Sequence, residues 1–200
     1  ELRDLLEHEL PFPMVDGIAH PTRFHHLLRL ADAVTCIVEP LKKFVPPGTP
    51  TLVLEPGVDP TLYFPQPPDP ALRRELGLGD AERVIAYTGS VTFANEAEMR
   101  DLYRAIKLLN ERGTPTRLLR TGFTHPDFLK SLGFDATAMV TDRGFVEKAL
   151  LPRLLALADA LVQPGHPGSF NDYRLPSKLP EFLAMGKPVV LPATNVGSHL

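Results

Sequence analysis

A short polar stretch near the C-terminal end of the sequence combines residues that can hold a phosphorylated ligand. Pro176 and Ser177 predict the start of a helix with Ser177 as its N-cap, and the unpaired amides of a helix start attract anions. Lys178 and Glu181 lie three residues apart, so both side chains reach the same side of that helix. The ammonium suits a diphosphate, and the carboxylate one turn further suits ribose hydroxyls. A capped helix with a surface ion pair would show the same pattern, so the pattern alone leaves both interpretations open.

Two apolar runs flank this helix and predict the strands that position it. Ala160–Val162 is a short apolar run that stops before Pro164, as a buried parallel strand does. Gly186 ends the helix, and the run from 188 to 191 begins the next strand. The residues predicted to pack on the sheet recur at helical spacing: Leu179, Phe182 and Leu183.

Predicted strands and helices alternate in the second half of the chain. Strands are predicted at 84–88, 117–121, 139–141, 160–162 and 188–191, with helices at 71–76, 96–110, 126–132 and 148–157 besides the helix after Ser177. This order is typical of an α/β fold with a Rossmann-like, doubly wound parallel sheet. Such sheets bind ligands at the carboxyl ends of their strands.

The first part of the chain predicts a separate, incomplete domain. Helices are predicted at 2–9 and 21–30, and strands at 34–38 and 51–54. Prolines cluster between residues 55 and 70 and indicate a connector, which divides the chain into residues 1–65 and 66–200. Both ends interrupt a structural pattern, so we expect a piece of a longer protein whose second domain is truncated at its C-terminal end.

Composition and charge exclude several classes of protein. A net charge of −3 and a pI near 6.2 argue against nucleic-acid binding. No apolar run approaches the roughly 20 residues of a membrane span. The single cysteine, Cys36, cannot form an intrachain disulfide and fits a small buried strand residue, which predicts a reducing, cytoplasmic location.

The histidines and glycines give no strong signal of metal or cofactor binding. The seven histidines lack metal-ligand spacing with acidic partners, and His25 and His26 are adjacent, so they point in different directions on a helix. His166 lies in the loop after the predicted strand at 160–162 and is a candidate contact for a sugar. Neither a phosphate-binding P-loop nor a dinucleotide fingerprint is present.

Several short motifs occur in a characteristic order. They are Asp32-Ala33-Val34, Pro56–Asp59 with Phe64-Pro65, Tyr87–Ser90, Leu154–Ala160 and Glu181–Val190. This order resembles that of GT-B glycosyltransferases of the GT4 group, over nearly the whole sequence. The resemblance implies that residues 1–65 are the end of the N-terminal, acceptor-side domain with its linker. Residues 66–200 would then be most of the C-terminal, nucleotide-sugar-binding domain.

The resemblance also implies a donor site around the loop and helix after the fourth strand of the second domain. Glu181 would bind the ribose, and Ser177 and Lys178 would contact the diphosphate. Asp172 and Lys178 are the catalytic candidates, with Asp172 orienting the sugar. The other implied donor-binding residues are Gly89 and Ser90 beside the phosphates, Phe145 and Val146 in the loop whose backbone meets the nucleobase, and Asn171, Tyr173 and Leu179.

Four positions depart from the pattern of that family, and one of them is Pro56, where members usually have an asparagine. Ser90 stands where many members have an arginine, and Asn95 stands near the position of a usual lysine. The first of two family glutamates falls on Tyr173, with Asp172 as the nearest carboxylate. Cations around a diphosphate stabilise its developing charge, so Lys178 would carry more of that role, or activity would be lost.

The function implied by the resemblance is transfer of a sugar from a nucleotide-diphosphate sugar to an acceptor hydroxyl. Retention of configuration and independence of metals and other cofactors are also implied. The sequence does not identify the acceptor (a glycan, a lipid or a small molecule), and it leaves open a peripheral membrane association through the N-terminal domain. One alternative is a non-catalytic GT-B module that binds a nucleotide or nucleotide sugar. Another is a sugar phosphorylase or nucleotide-sugar epimerase on the same fold.

Overall fold

The computed structural model describes residues 26–167, 171 and 173–193. The chain divides into two compact units, Glu1–Glu55 and Pro56–Leu200. The division falls before the proline-rich stretch and not after it, because Leu62 and Tyr63 pack in the hydrophobic core of the second unit. The assignment of the units to acceptor and donor domains stays a prediction.

The first unit contains a small parallel sheet. Strands β1 (Val34–Cys36) and β2 (Thr51–Val53) pair with Val34 opposite Thr51, and a 3-10 helix, Glu39–Phe44, follows β1. Cys36 is buried as predicted. Residues 26–30 are helical, and Leu27 in this segment is mostly exposed. The helix predicted at 2–9 lies outside the described residues.

The described residues of the second unit form a sheet of five parallel strands. They are β3 (Arg83–Thr88), β4 (Thr116–Thr121), β5 (Val140–Asp142), β6 (Ala160–Val162) and β7 (Val189–Val190). Their order across the sheet is β5-β4-β3-β6-β7, so the direction of winding reverses between β3 and β6. The structure confirms the predicted doubly wound fold, and ligands of such sheets bind where the order reverses.

Helices cover both faces of this sheet. They are α1 (Pro70–Glu75), α2 (Glu96–Glu111), α3 (Phe128–Ser131), α4 (Leu151–Ala156) and α5 (Leu179–Ala184). Alternate residues of β3 face opposite sides: Val84 and Ala86 join the core of α1, α4 and α5, whereas Ile85 and Tyr87 join that of α2 and α3. In the described part of the chain, no helix is long and apolar enough to cross a bilayer.

The start of α5 differs from the prediction. The helix begins at Leu179 with Lys178 at the N-cap position, and no side chain caps it. The prediction of Ser177 as the cap was wrong. With Ser177 as the N-cap, Pro180 would be the third helical residue, and it has no N–H to donate to the Ser177 hydroxyl. Leu179 and Phe182 are buried as predicted, whereas Leu183 is 50% exposed.

The other end of α5 forms as predicted. Gly186 adopts a left-handed conformation with φ of 64°, and its amide donates to the Leu183 carbonyl at 3.1 Å. A Cβ at Gly186 would lie 3.0 Å from a ring carbon of Pro65. The proline-rich stretch therefore lies against the end of this helix.

Candidate functional site

Lys178 lies at the carboxyl end of β3, against Tyr87 and Gly89. Its Nζ atom is 4.3 Å from the centroid of the Tyr87 ring, within the range of a cation–π contact. A Cβ atom built on Gly89 would collide with Nζ and would lie 2.8 Å from the Tyr87 hydroxyl. Gly89 also has φ of 149°, which other residues rarely adopt. The close approach of the ammonium to the backbone therefore requires glycine at position 89.

The ammonium of Lys178 is poorly compensated by its surroundings. Burial lowers its pKa to about 8; the charge of Arg174 lowers it as well, and the carboxylate of Glu181 acts in the opposite direction. Burial raises the pKa of Tyr87, and the positive charges of Arg120 and Arg174 lower it. Three cations and two carboxylates thus act on Tyr87 and Lys178, and this excess of positive charge suits an anionic ligand.

Glu181 faces the same region from the first turn of α5. Tyr63 is 2% exposed, and its pKa is raised to about 12, first by burial and then by the Glu181 carboxylate. The same carboxylate raises the pKa of Lys178. The three-residue spacing therefore brings Lys178 and Glu181 together, as the sequence predicted.

The turn at Gly89 and Ser90 is held by hydrogen bonds within the protein. The Asn95 side-chain amide donates to the Ser90 carbonyl at 3.0 Å and to the Tyr87 hydroxyl at 3.3 Å. The Ser90 hydroxyl accepts from the Phe123 amide at 3.3 Å. The two residues that depart from the family's cationic pattern, Ser90 and Asn95, thus shape the turn through these bonds.

The loops after β4 and β5 adjoin this turn. The Gly122 amide donates to the Gly144 carbonyl at 2.7 Å, and a Cβ on Gly122 would lie 2.6 Å from the Gly89 carbonyl carbon. Phe145 is 82% exposed, whereas Val146 packs against the core. Of the two residues predicted at the nucleobase, only Phe145 presents an open side chain.

The loop after β6 is tied to helix α2. His166 Nε2 lies 2.8 Å from a carboxylate oxygen of Asp101, so this candidate sugar contact is paired with the helix. The Asn171 side-chain amide donates to the His166 carbonyl at 2.9 Å and approaches Glu98 at 3.4 Å. Asn171 therefore stabilises the loop beside the site.

The remaining predicted residues fall in different environments. Leu179 is buried, and its amide donates to the Pro176 carbonyl at 3.0 Å, so neither group is open to a donor. Ser177 is exposed in the turn before α5, and Tyr173 is half-buried next to Arg174. Asp172 lies outside the described residues. Among those described, no group of three histidine, cysteine or acidic side chains could hold a metal ion.

Sequence reasoning missed three residues that shape the site. Arg174 follows Tyr173 in a polar loop, and its spacing of four residues from Lys178 could have indicated a second cation. Tyr87 belongs to one of the family motifs, but the alternation of the strand predicts only that it is buried, not that its ring contacts the Lys178 ammonium. Tyr63 lies in the proline-rich stretch, where the prolines indicate a connector.

Comparison with protein families gives one match that covers more than half of the chain. Residues 82–199 match the family described as glycosyl transferases group 1. The matched region begins just before β3 and includes all five strands of the second unit. A search of curated protein sequences found no significant match.

Solved structures with the same fold are distant in sequence. Sucrose-phosphate synthase from Thermosynechococcus elongatus is 17% identical with a TM-score of 0.62, over 95% of this chain and 48% of that one. Anabaena HepE (Alr3699), solved with UDP and glucose, is 19% identical with a TM-score of 0.63, over 90% and 52%. WaaG, a glycosyltransferase involved in lipopolysaccharide biosynthesis, is 17% identical with a TM-score of 0.64, over 98% and 55%. The chain spans about half the length of these proteins, and the likeness establishes the GT-B fold.

Proposed function

Because the chain belongs to the glycosyl transferases of group 1, we propose that it carries the donor-binding half of a GT4-type glycosyltransferase. The enzyme moves a sugar from a nucleotide-diphosphate sugar to an acceptor hydroxyl of a glycan, a lipid or a small molecule. The observation that carries this proposal is the Lys178 ammonium, 4.3 Å from the Tyr87 ring and packed against Gly89 where the winding of the sheet reverses.

Lys178 stabilises the diphosphate that leaves when the sugar is transferred. A desolvated cation interacts strongly with negative charge that develops on a leaving group. Arg174 supplies a second positive charge beside it, which supports catalysis in spite of the missing family cations at Ser90 and Asn95. With two protein cations at the phosphates, the reaction proceeds without a metal ion.

The remaining donor contacts follow from the arrangement around this pair. Glu181, which shares the space with Lys178, accepts hydrogen bonds from the ribose hydroxyls. Phe145 offers an open aromatic face to the nucleobase. As the order of motifs implies, Asp172 orients the sugar and the transfer retains the configuration of the sugar. The proposed location of the enzyme is the cytoplasm.

Removal of the Lys178 charge tests the proposal. We expect Lys178→Met to lower the affinity of the full-length protein for UDP, GDP or ADP by about tenfold or more, the scale of a hydrogen bond to a charged group. Isothermal titration calorimetry measures the effect for the diphosphate that the wild type binds most tightly. Lys187→Met is the matched control, because Lys187 lines a separate cavity with Arg83 and Asp159. Equal affinities of the Lys178 variant and the wild type would refute the proposed site.

The alternative is a non-catalytic module that binds a nucleotide or nucleotide sugar. Its support is that Ser90 and Asn95 are engaged within the protein, where many family members have cations. Slow hydrolysis of a bound nucleotide sugar by the full-length protein separates the two functions. An enzyme releases free sugar at a rate that Lys178→Met lowers, whereas a binding module releases none.

A further inference from the structure

Arg120 is a buried cation that lies directly below the candidate site. It is near the carboxyl end of β4, and its side chain is 0% exposed. Its Nη1 atom lies 3.1 Å from a carboxylate oxygen of Asp142 and donates to the Thr124 hydroxyl. Its Nη2 atom lies 2.9 Å from the Gly122 carbonyl oxygen and 3.1 Å from that of Phe123. The guanidinium therefore joins the ends of β4 and β5 to the loop between residues 122 and 124.

The same guanidinium approaches the carbonyls that hold the turn after β3. The Gly89 amide donates to the Thr121 carbonyl at 3.1 Å, and the Val91 amide donates to the Phe123 carbonyl at 2.7 Å. Arg120 Nη2 lies 3.4 Å and 3.1 Å from these two carbonyl oxygens, and 3.5 Å from that of Gly89. One side chain thus contacts both backbone carbonyls that accept from the amides on either side of Ser90.

The turn has no space to adjust independently of this loop. A Cβ on Gly122 would lie 2.6 Å from the Gly89 carbonyl carbon and 2.9 Å from the Ser90 nitrogen. Gly89 in turn lies against the Lys178 ammonium. A displacement of the loop below the turn therefore reaches the group that we propose to hold the phosphates.

We propose that Arg120 is a positioning residue of the donor site, which holds the Gly89–Ser90 turn and, through it, Lys178 in the arrangement that receives a diphosphate. This inference rests on the proposed function. A guanidinium is suited to the role because it presents five donors in a rigid planar fork. A lysine at the same position would keep the charge, but it could not bind these acceptors together.

The experiment compares two ligands on the full-length protein carrying Arg120→Lys. The diphosphate is whichever of UDP, GDP and ADP binds the wild type most tightly, and the second ligand is its nucleoside, titrated by NMR. We expect the ratio of diphosphate to nucleoside affinity to fall about tenfold, the scale of charge-assisted hydrogen bonds. A merely structural role would weaken both ligands equally and leave the ratio unchanged.

Arg117→Lys is the matched control, because Arg117 lies on the same strand and also pairs with a carboxylate. Its guanidinium is 2.7 Å from Glu82, and in the register of the sheet it lies toward the amino end of β4. We expect this variant to leave the affinity ratio at the wild-type value. A fall as large as that of Arg120→Lys would overturn the inference.

A second variant covers the case in which Arg120→Lys does not fold. Thr124→Val keeps the shape of the side chain and removes one acceptor of the guanidinium, so we expect the ratio to fall about threefold. An unchanged ratio in a folded Arg120→Lys protein overturns the proposed role of Arg120 and leaves the proposed function standing. If that variant is unfolded, an unchanged ratio in Thr124→Val has the same meaning. If the wild type binds no nucleoside diphosphate, the proposed function fails, and the inference fails with it.

Discussion

Lys178 illustrates how a protein keeps a cation ready for an anionic ligand. Its positive charge is held in a half-buried environment beside another cation, with an aromatic ring and one carboxylate as its favourable neighbours. Burial and the neighbouring cation oppose protonation of the amine. A diphosphate would place negative charge beside the ammonium. Its binding would therefore offset part of the free-energy cost of burying the Lys178 charge.

The pKa of Lys178 predicts how nucleotide binding depends on pH. The pKa of Lys178 is about 8, and a bound diphosphate would raise it by favouring the ammonium. The contribution of Lys178 to nucleotide affinity should therefore be constant below about pH 7. The affinity should fall as the pH rises through 8 toward the unperturbed lysine pKa of about 10.4.

Calorimetry with a nucleotide sugar measures this dependence, because its diphosphate carries no terminal group that titrates in the same interval. The Lys178→Met variant is the control and should bind weakly with no such fall. A constant affinity of the wild type through pH 8 to 10 would contradict the lowered pKa.

Gly89 gives a second prediction at the level of a single residue. Gly89→Ala should lower the affinity for a nucleoside diphosphate about tenfold or more, because the new methyl group occupies the position of the Lys178 ammonium. Gly77→Ala is the control: it also has a positive φ, of 65°, but nothing lies within 4 Å of its Cβ. Both variants should lose stability through backbone strain, and only the first should lose binding. An equal loss of binding in the two would show that strain, not displacement of the lysine, is the cause.

Helix α5 couples the site to the core in a single short element. Its six residues bury Leu179 and Phe182, while Glu181 faces Tyr63 and Lys178. A helix of this length has little stability of its own, so the packing of its apolar residues holds the functional side chains in place.

The packing of α5 predicts a large difference between two neighbouring substitutions. Phe182→Ala should lower the free energy of unfolding by about 3–5 kcal/mol, because the ring is fully buried. Leu183→Ala should cost at most about 1 kcal/mol, since that side chain is half exposed. Chemical denaturation of the two variants measures the difference, and similar costs would mean that the helix does not pack as described.

Most elements could be predicted because their signals are local. The strand at Ala160–Val162 and the glycine at the end of α5 formed at the predicted positions, since apolar runs and left-handed glycines require no tertiary information. The start of α5 could not be placed by the same reasoning. The preference of Ser177 for a cap competes there with the missing amide of Pro180, and the proline prevails.

At the scale of the whole molecule, the alternation of strands and helices predicted the sheet, and sheets of this kind bind ligands at the carboxyl ends of their strands. The order β5-β4-β3-β6-β7 then brings together residues far apart in sequence, such as Tyr87, Gly122 and Lys178. Motif spacing identified Lys178 and Glu181 because they are neighbours on one helix. It could not identify Tyr63 or Arg120, because their relation to the site exists only after the strands have paired.

The core position of Tyr63 decides where this unit can be separated for expression. A clone that began at residue 66 would delete a ring that is almost fully buried, together with the proline that lies against Gly186. The recombinant fragment would then carry a void beside Glu181, even if its sheet formed correctly. A cloning boundary just before Pro56 keeps this segment with the fold that it completes.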